Sequence, residues 1–336
     1  MGMEDYGPIH KWADEHGVEK HIELLERSPS WKFYLGHIRA LISFTRKKNI
    51  DIVYSHTQPA NIISVFAQYF SPSRFIICRH HSDYIMNGEN KNAQRFDSII
   101  NKLGSSFIVP SSAVLRQMVE REHVDSRKIR LIPYAYNFSE FPKVDKDSVK
   151  RIRNEHSAKL LLVTVSRFIP CKRYELLIHV IAQLTADRPD VKLLILGDGP
   201  LEEQLKNQVN EARLNDKIIF IGYTSKVMDY LDAADVVVHT SDSEASNSVI
   251  KEAGLLGKRI IACHEVGDFD DYIIDRQSGF LISKNNTETE LLDILKNMYD
   301  DPELHLEFGR SLKESVLENF SYENIIPLYS EITEAS

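Results

Sequence analysis

Short, continuously apolar runs alternate along this chain with longer stretches of helical spacing. Residues 51–55 (DIVYS), 75–79 (FIICR), 106–109 (SFIV) and 130–133 (RLIP) form a first series. Residues 160–165 (LLLVTV), 191–196 (VKLLIL), 217–221 (KIIFI), 235–239 (DVVVH) and 259–262 (RIIA) form a second. Because the runs do not alternate with polar residues, they predict strands covered on both faces, as in a parallel sheet. Between them, Tyr174, Leu177, Ile178 and Ile181 fall at i, i+3, i+4 and i+7, and Leu291, Leu292, Leu295 and Met298 nearly repeat that helical spacing. Alternating β and α elements predict an α/β fold.

The polar, proline-containing segment FSEFPKVDKDSVKR (138–151) separates the two series and reads as an interdomain linker. The chain from Pro302 to Ser336 is too polar for a strand and reads as helical, able to pack back across the first domain. A length of 336 residues allows two domains of about 100–200 residues each. No internal repeat or low-complexity tract interrupts them.

Composition narrows the function classes. Hydrophobic content of 43% and charged content of 27% are those of a soluble globular protein. A net charge of −8 argues against a general nucleic-acid binder. Cys78, Cys171 and Cys263 are widely spaced, with no CxxC, so neither a zinc site nor a disulfide framework is indicated, and a reducing compartment is expected. No run of signal-peptide type opens the chain and no stretch of ~20 apolar residues occurs, which predicts a cytoplasmic protein that meets a membrane only from that side.

Three motifs carry candidate chemistry. In VTVSRFIPCKRYELL, Arg167 and Lys172 follow a strand end, where ligands bind in open α/β sheets. An arginine fork and a compact lysine charge there suit a diphosphate, although a solvated basic loop would look the same. In LILGDGPLEEQL, Gly197 and Gly199 lie between a strand and a helix. The third glycine of a dinucleotide fingerprint is replaced by Glu202, so that reading fails. The glycines serve either a tight turn or a close ligand. In HTSDSEASNSVIKEAGLLGKRIIA, the strand ends at His239, Glu244 precedes capping residues Ser246 and Asn247, and a helix runs through Glu252 to about Leu256. The helix start offers unpaired N–H groups to a phosphate. Glu252 would lie roughly 7 Å along the axis from the cap. One carboxylate could then accept from a sugar and the other from a ribose. A glycoside hydrolase acid/base pair is the competing reading, but it leaves the Arg/Lys loop unemployed. DFDD (268–271) reads as an acidic surface loop rather than a metal site, since no histidine is placed beside it.

The ordered set Arg167-x4-Lys172, Gly197-Asp198-Gly199-Pro200, Gly222-Tyr223, Glu244-x7-Glu252 and a helix-closing Gly257 resembles the family 4 retaining glycosyltransferases. The resemblance spans roughly residues 45–325 and is strongest over 160–285. It implies a GT-B fold of two Rossmann-like domains with parallel sheets facing across a cleft. Residues 1–140 would form the acceptor-side domain, 151–315 the nucleotide-sugar domain, and 316–336 a helix packing back on the first. It further implies that Arg167 and Lys172 bind the donor diphosphate and offset leaving-group charge. Glu244 would contact the sugar, the N–H groups of Ser246, Asn247, Ser248 and Val249 the sugar or phosphate, and Glu252 the ribose, with Gly222 and Tyr223 near the base. The donor would be a UDP- or GDP-sugar, with no cofactor and no metal, and the acceptor a glycan or lipid-linked molecule, as in surface polysaccharide synthesis. No enzymic nucleophile is implied.

The first series fits the family more loosely. IDIVYSHTQ places His56 in a loop after a strand, and FIICRHHSDY offers His80, with Asp83, or His81 as the histidine facing the donor sugar. Three features depart from the pattern. The segment EDYGPIHKWADEHGVEKHIELLE (4–26) reads as the end of the second strand and its sequel, so about the first forty to sixty residues of the pattern, with their glycine-rich loop, are absent. Asn247 stands where glycine or proline is usual, and IPYAYN replaces IPNG-V-D. Those departures keep two alternatives in view: a non-catalytic nucleotide-sugar-binding or partner protein, and a GT-B epimerase. Finally, SWKFYLGHIRALISFTRKKN (30–49) mixes aromatics with Arg39, Arg46, Lys47 and Lys48. It reads either as a surface for an anionic membrane or as a helix on its own sheet with a solvated basic end.

Overall fold

The computed structural model describes residues 31–81 and 93–334. Asp83 and the opening segment 4–26 lie outside the described residues. The first series of runs forms a parallel sheet in sequence order, β1 (Ile52–His56), β2 (Arg74–Cys78), β3 (Phe107–Val109) and β4 (Ile129–Leu131). Helices α1 (Trp31–Lys48), α2 (Gln58–Ala67), α3 (Ala93–Leu103) and α4 (Ser112–Arg116) accompany it.

Successive strand residues point to opposite faces, and the two faces have different covers. Ile77, Phe107, Val109 and Ile129 pack with Ile62 and Val65 of α2 and Ile100 of α3. Ile76, Cys78 and Ile108 pack instead with Ile325 and Ile332 of the last helix, α13 (Tyr322–Glu334). The chain's end therefore completes the core of its first sheet. Each such buried aliphatic side chain contributes about 1.5–3 kcal/mol relative to exposure.

The second series forms a six-stranded parallel sheet with β5 (Leu160–Val165), β6 (Val191–Leu196), β7 (Ile218–Gly222), β8 (Val236–His239), β9 (Arg259–Cys263) and β10 (Phe280–Ile282). Its order is β10-β9-β8-β5-β6-β7. The chain builds outward from β5 to β7, then returns to start β8 on β5's other side, pairing Leu162 with Val236 and Val163 with Val237. Connections leave β5 and β8 in opposite directions, which opens a crevice at their C-terminal ends. Helices α5 (Lys146–Glu155), α6 (Tyr174–Asp187), α7 (Glu202–Glu211), α8 (Val227–Ala233), α9 (Ser248–Leu255), α10 (Phe269–Tyr272), α11 (Thr287–Asp300) and α12 (Leu306–Phe320) surround this sheet. Tyr174, Leu177, Ile178 and Ile181 are fully buried, as are Leu291, Leu295 and Met298.

Two sequence readings need correcting. The segment 138–151 is not all linker: Asp145 caps α5 through the N–H of Asp147, and Ile152 of that helix joins the core of the second sheet. Strand β10 (FLI, 280–282), though as long as β3 and β4, is missing from the second series of runs. Among the described residues no helix is long and apolar enough to cross a membrane.

The chain passes between the two sheets twice, side by side. Tyr136 N donates to Phe320 O at 2.8 Å, and Tyr322 N donates to Tyr136 O at 3.1 Å.

Candidate functional site

The loop after β5 and the loop after β8 are tied together at the crevice. Ser241 Oγ donates to Cys171 O at 3.0 Å and Thr240 Oγ1 to Lys172 O at 2.9 Å. Arg173, held in the left-handed region at φ 53°, spreads its guanidinium over Thr240 O (2.7 Å), Lys284 O (3.2 Å) and Thr287 Oγ1 (2.9 Å). That clamp fixes the backbone that presents Lys172.

Lys172 and Glu244 meet directly, Nζ on Oε1. His239 Nε2 lies 2.7 Å from the same oxygen, and Asn247 Nδ2 reaches it at 3.4 Å. Burial alone would raise the Glu244 pKa. The His239 hydrogen bond and the Lys172 charge outweigh it and hold the carboxyl at about 2, so Glu244 is an anion at neutral pH. All three partners crowd Oε1. Among the described residues Glu244 Oε2 forms no hydrogen bond, and since it is not among the buried unpartnered atoms it keeps some access to solvent as an acceptor.

Asn247 explains its own departure from the family pattern. Its Oδ1 accepts from Ile250 N at 3.0 Å and caps α9, a bond of a kind that contributes about 1 kcal/mol, while its Nδ2 faces Glu244 and His239. The capped helix begins at Ser248, which is exposed, with Val249 half-buried behind it. Glu252 lies one turn further on. Burial raises its pKa, with the Ser248 hydroxyl and Lys251 pulling the other way, and it forms no ion pair among the described residues.

Arg167 stands at the same strand end, exposed, its side chain without hydrogen bond or ion pair among the described residues. The Gly197–Pro200 loop braces it from behind. A Cβ on Gly197 (φ 126°) would lie 2.1 Å from Ser166 O, and one on Gly199 (φ 156°) 2.6 Å from Phe168 N and O. Phe168 N donates to Asp198 O at 2.7 Å. This backbone packing requires glycine at both positions. Gly197 N in turn donates to Gly222 O at 3.0 Å, and beyond Gly222 the Tyr223 side chain is 83% exposed at the sheet's edge.

His80 belongs to a separate cluster on the first sheet. Its Nε2 lies 2.7 Å from His56 Nδ1 and its Nδ1 lies 2.6 Å from the Tyr134 hydroxyl. Burial, then His56 and His81, push the His80 pKa down to about 4, so the imidazole is neutral at pH 7. His81 turns away to Asp97 (2.8 Å), within a network in which Arg79 grips Glu122 through two 2.7 Å bonds.

The surface-loop reading of DFDD fails at Asp268, while Asp270 is half-buried and Asp271 exposed. Asp268 is 1% exposed and pairs with buried Lys251 at 2.6 Å, Asp270 contacts His264, and Asp271 accepts from Ser112 N of the first sheet's α4 at 2.9 Å. A histidine does stand beside the loop, but no group of three metal-ligating side chains occurs among the described residues.

The family model for Glycosyl transferases group 1 matches residues 145–315, and that for Glycosyltransferase Family 4 matches residues 4–140. The chain belongs to the group 1 glycosyltransferases. The N-acetyl-alpha-D-glucosaminyl L-malate synthase of Bacillus anthracis is 26% identical to this glycosyltransferase over 85% of its chain and 75% of the relative's. The poly(ribitol-phosphate) alpha-N-acetylglucosaminyltransferase of Staphylococcus aureus is 23% identical over 72% of this chain, which spans 51% of that longer protein. Anabaena HepE, solved with UDP, has a TM-score of 0.82 at 19% identity, covering 98% of this glycosyltransferase and 90% of HepE. The structural likeness establishes the GT-B fold.

Proposed function

We propose that this glycosyltransferase transfers a sugar, with retention at the anomeric carbon, from a UDP-sugar to a hydroxyl of a glycan or lipid-linked acceptor in cell-surface synthesis. One observation carries the reading. A mostly buried Lys172–Glu244 contact, an Arg167 without a side-chain partner among the described residues and the start of α9 share the crevice between β5 and β8. The solved relative HepE carries UDP, and the matched enzymes of B. anthracis and S. aureus are named for N-acetylglucosaminyl products.

In this reading Arg167 and Lys172 hold the diphosphate. Lys172 Nζ has three donors and gives one to Glu244, leaving two for phosphate oxygens. Fixed cations placed where negative charge develops on the leaving group lower the barrier. Glu244 Oε2 accepts from the donor sugar. Ser246, Asn247, Ser248 and Val249 line the helix start beneath sugar and phosphate, and Glu252 takes the ribose hydroxyls. Gly222 and Tyr223 border the base. His80, neutral and braced by His56 and Tyr134, faces the sugar from the acceptor side.

Calorimetry with UDP tests the site. Glu252→Ala is expected to weaken UDP binding by about 10–100-fold, the loss of one or two hydrogen bonds to a charged acceptor. Unchanged affinity in a folded variant would refute the ribose assignment.

The same proposal includes contact with an anionic membrane surface. From Trp31 to Arg74 the chain carries Lys32, Arg39, Arg46, Lys47, Lys48 and Arg74 against the single acid Asp51, although its net charge is −8. Trp31, Tyr69 and Phe70 are 69%, 61% and 62% exposed there, and Arg46 donates to Phe70 O, joining the basic and aromatic parts. At about 1 kcal/mol per cation near such a surface, Arg39→Glu with Lys47→Glu should lower binding to phosphatidylglycerol vesicles at least about tenfold. Wild-type protein that fails to sediment with those vesicles would overturn the membrane contact.

A further inference from the structure

Lys251 is an unusual residue for its position. It lies on α9 beside Glu252 and is fully buried. Its Nζ donates to Asp268 Oδ2 at 2.6 Å, Asn247 O at 2.9 Å and Ser246 Oγ at 3.0 Å. All three ammonium donors are thus spent on the two residues that open α9 and on the DFDD loop. The far side of the charge is walled by aromatic rings: Phe320 at 4.4 Å, Tyr272 at 5.3 Å and Tyr136 at 5.8 Å from ring centroids. Ring faces attract a cation, most strongly where water is excluded.

Two of those rings belong to the segments that join the sheets. Tyr136 and Phe320 are themselves hydrogen-bonded partners in the double crossing, and the Tyr136 hydroxyl lies beside Ser246. Two residues before Tyr136, on the same segment, Tyr134 holds His80 at 2.6 Å. Asp268 completes the connection, accepting from Ser246 Oγ and Asn247 N while Asp271, one helical turn on, accepts from Ser112 N of the first sheet's domain.

We propose that Lys251 and Asp268 are positioning residues that register the acceptor-side His80 against the donor site through the crossing segment Tyr134–Tyr136. The inference rests on the donor reading given above. An occupied diphosphate site orders Ser246 and Asn247. Lys251 and Asp268 pass that order to Tyr136 and Phe320, and the Tyr134 hydroxyl carries it to His80. Neither residue touches the sugar or the phosphates. Removing one member alone would strand a buried charge, whereas removing both together is often tolerated. The informative variant is therefore Lys251→Met with Asp268→Asn. Phe320→Leu, which removes one ring from the crossing and touches no part of the donor site, serves as a second.

Hydrogen exchange of the full chain with and without UDP reads the connection directly. In the wild type, UDP should slow exchange over residues 133–138 and 319–324 by about tenfold or more. Both variants should bind UDP within about fivefold of wild type by calorimetry, lose that slowing, and show turnover reduced about tenfold with little change in donor KM. Persistence of the slowing in a folded variant, or its absence in a wild type that binds UDP, overturns the positioning role alone. A wild type that does not bind UDP overturns the donor reading and this inference with it. Should the double variant fail to fold, Phe320→Leu decides between the same outcomes.

Discussion

Arg167→Ala is expected to cut turnover by about 10²–10³-fold, the range seen when one fixed donor to developing negative charge is removed. Donor affinity should fall by less, about tenfold or below. The difference follows from what each cation already does in the resting site. Lys172 is committed to Glu244 and helps shape the crevice, so its loss would disturb ground state and transition state together. Arg167 has no protein partner among the described residues and is exposed. Its removal leaves no buried charge unpaired, so stability should stay within about 0.5 kcal/mol of wild type. Steady-state kinetics against a UDP-sugar, with thermal unfolding as control, separate the two quantities. An equal loss in affinity with no further loss of rate would remove Arg167 from the catalytic step.

Much of this fold was legible because its strands are buried on both faces. Runs such as LLLVTV have almost no solvent face to interrupt them, and VKLLIL is broken only by the half-buried Lys192, so run length marks β5 and β6. β10 is no shorter than β3 and β4 yet is absent from the runs, and its place in the sheet comes from pairing with Ile261, Ala262 and Cys263. Helix α5 hid inside an apparent linker because only Val149 and Ile152 of its ten residues are apolar, too few to stand out in a polar segment. The helical character of the last segment was readable. Its use of Ile325 and Ile332 as a lid on the first sheet is a long-range contact that local pattern cannot specify.

The site shows the same division. Lys172 and Glu244 are 72 residues apart and touch because β5 and β8 are neighbours at the switch point, a consequence of α/β topology. His239 was in view as the last residue of the strand DVVVH, but its bond to Glu244 depends on how the 240–243 loop folds back. Asp268 is misread as surface, and Lys251 is not singled out at all, for a simple physical reason. Charged residues in a sequence read as surface, because burying one is costly unless it is paired. Here Lys251 and Asp268 pair with each other across 17 residues, and only the folded chain reveals it.

Glu244→Gln is expected to lose about 10²-fold or more in turnover and to lower stability in a pH-dependent way. The native carboxyl titrates at about 2, against an ordinary 4.5, with burial opposed by His239 and Lys172. Between those values the unfolded chain binds more protons than the native one, so stability rises with pH through this window. The ion's contribution is fully present above about pH 5 and disappears as pH falls toward 2; at neutral pH it amounts to about 3 kcal/mol at most. Glutamine keeps an acceptor for one partner but cannot balance Lys172, which is left mostly buried beside a neutral amide. The stability gap between wild type and Glu244→Gln, measured by denaturant unfolding, should therefore be widest near pH 7 and narrow steadily from pH 5 to pH 3. Because every other carboxylate titrates in both proteins, the difference isolates this one. A gap that stays constant across that range would mean that Glu244 is held by packing rather than by its ionic bonds, and the charge-balanced crevice proposed for the diphosphate would lose its anchor.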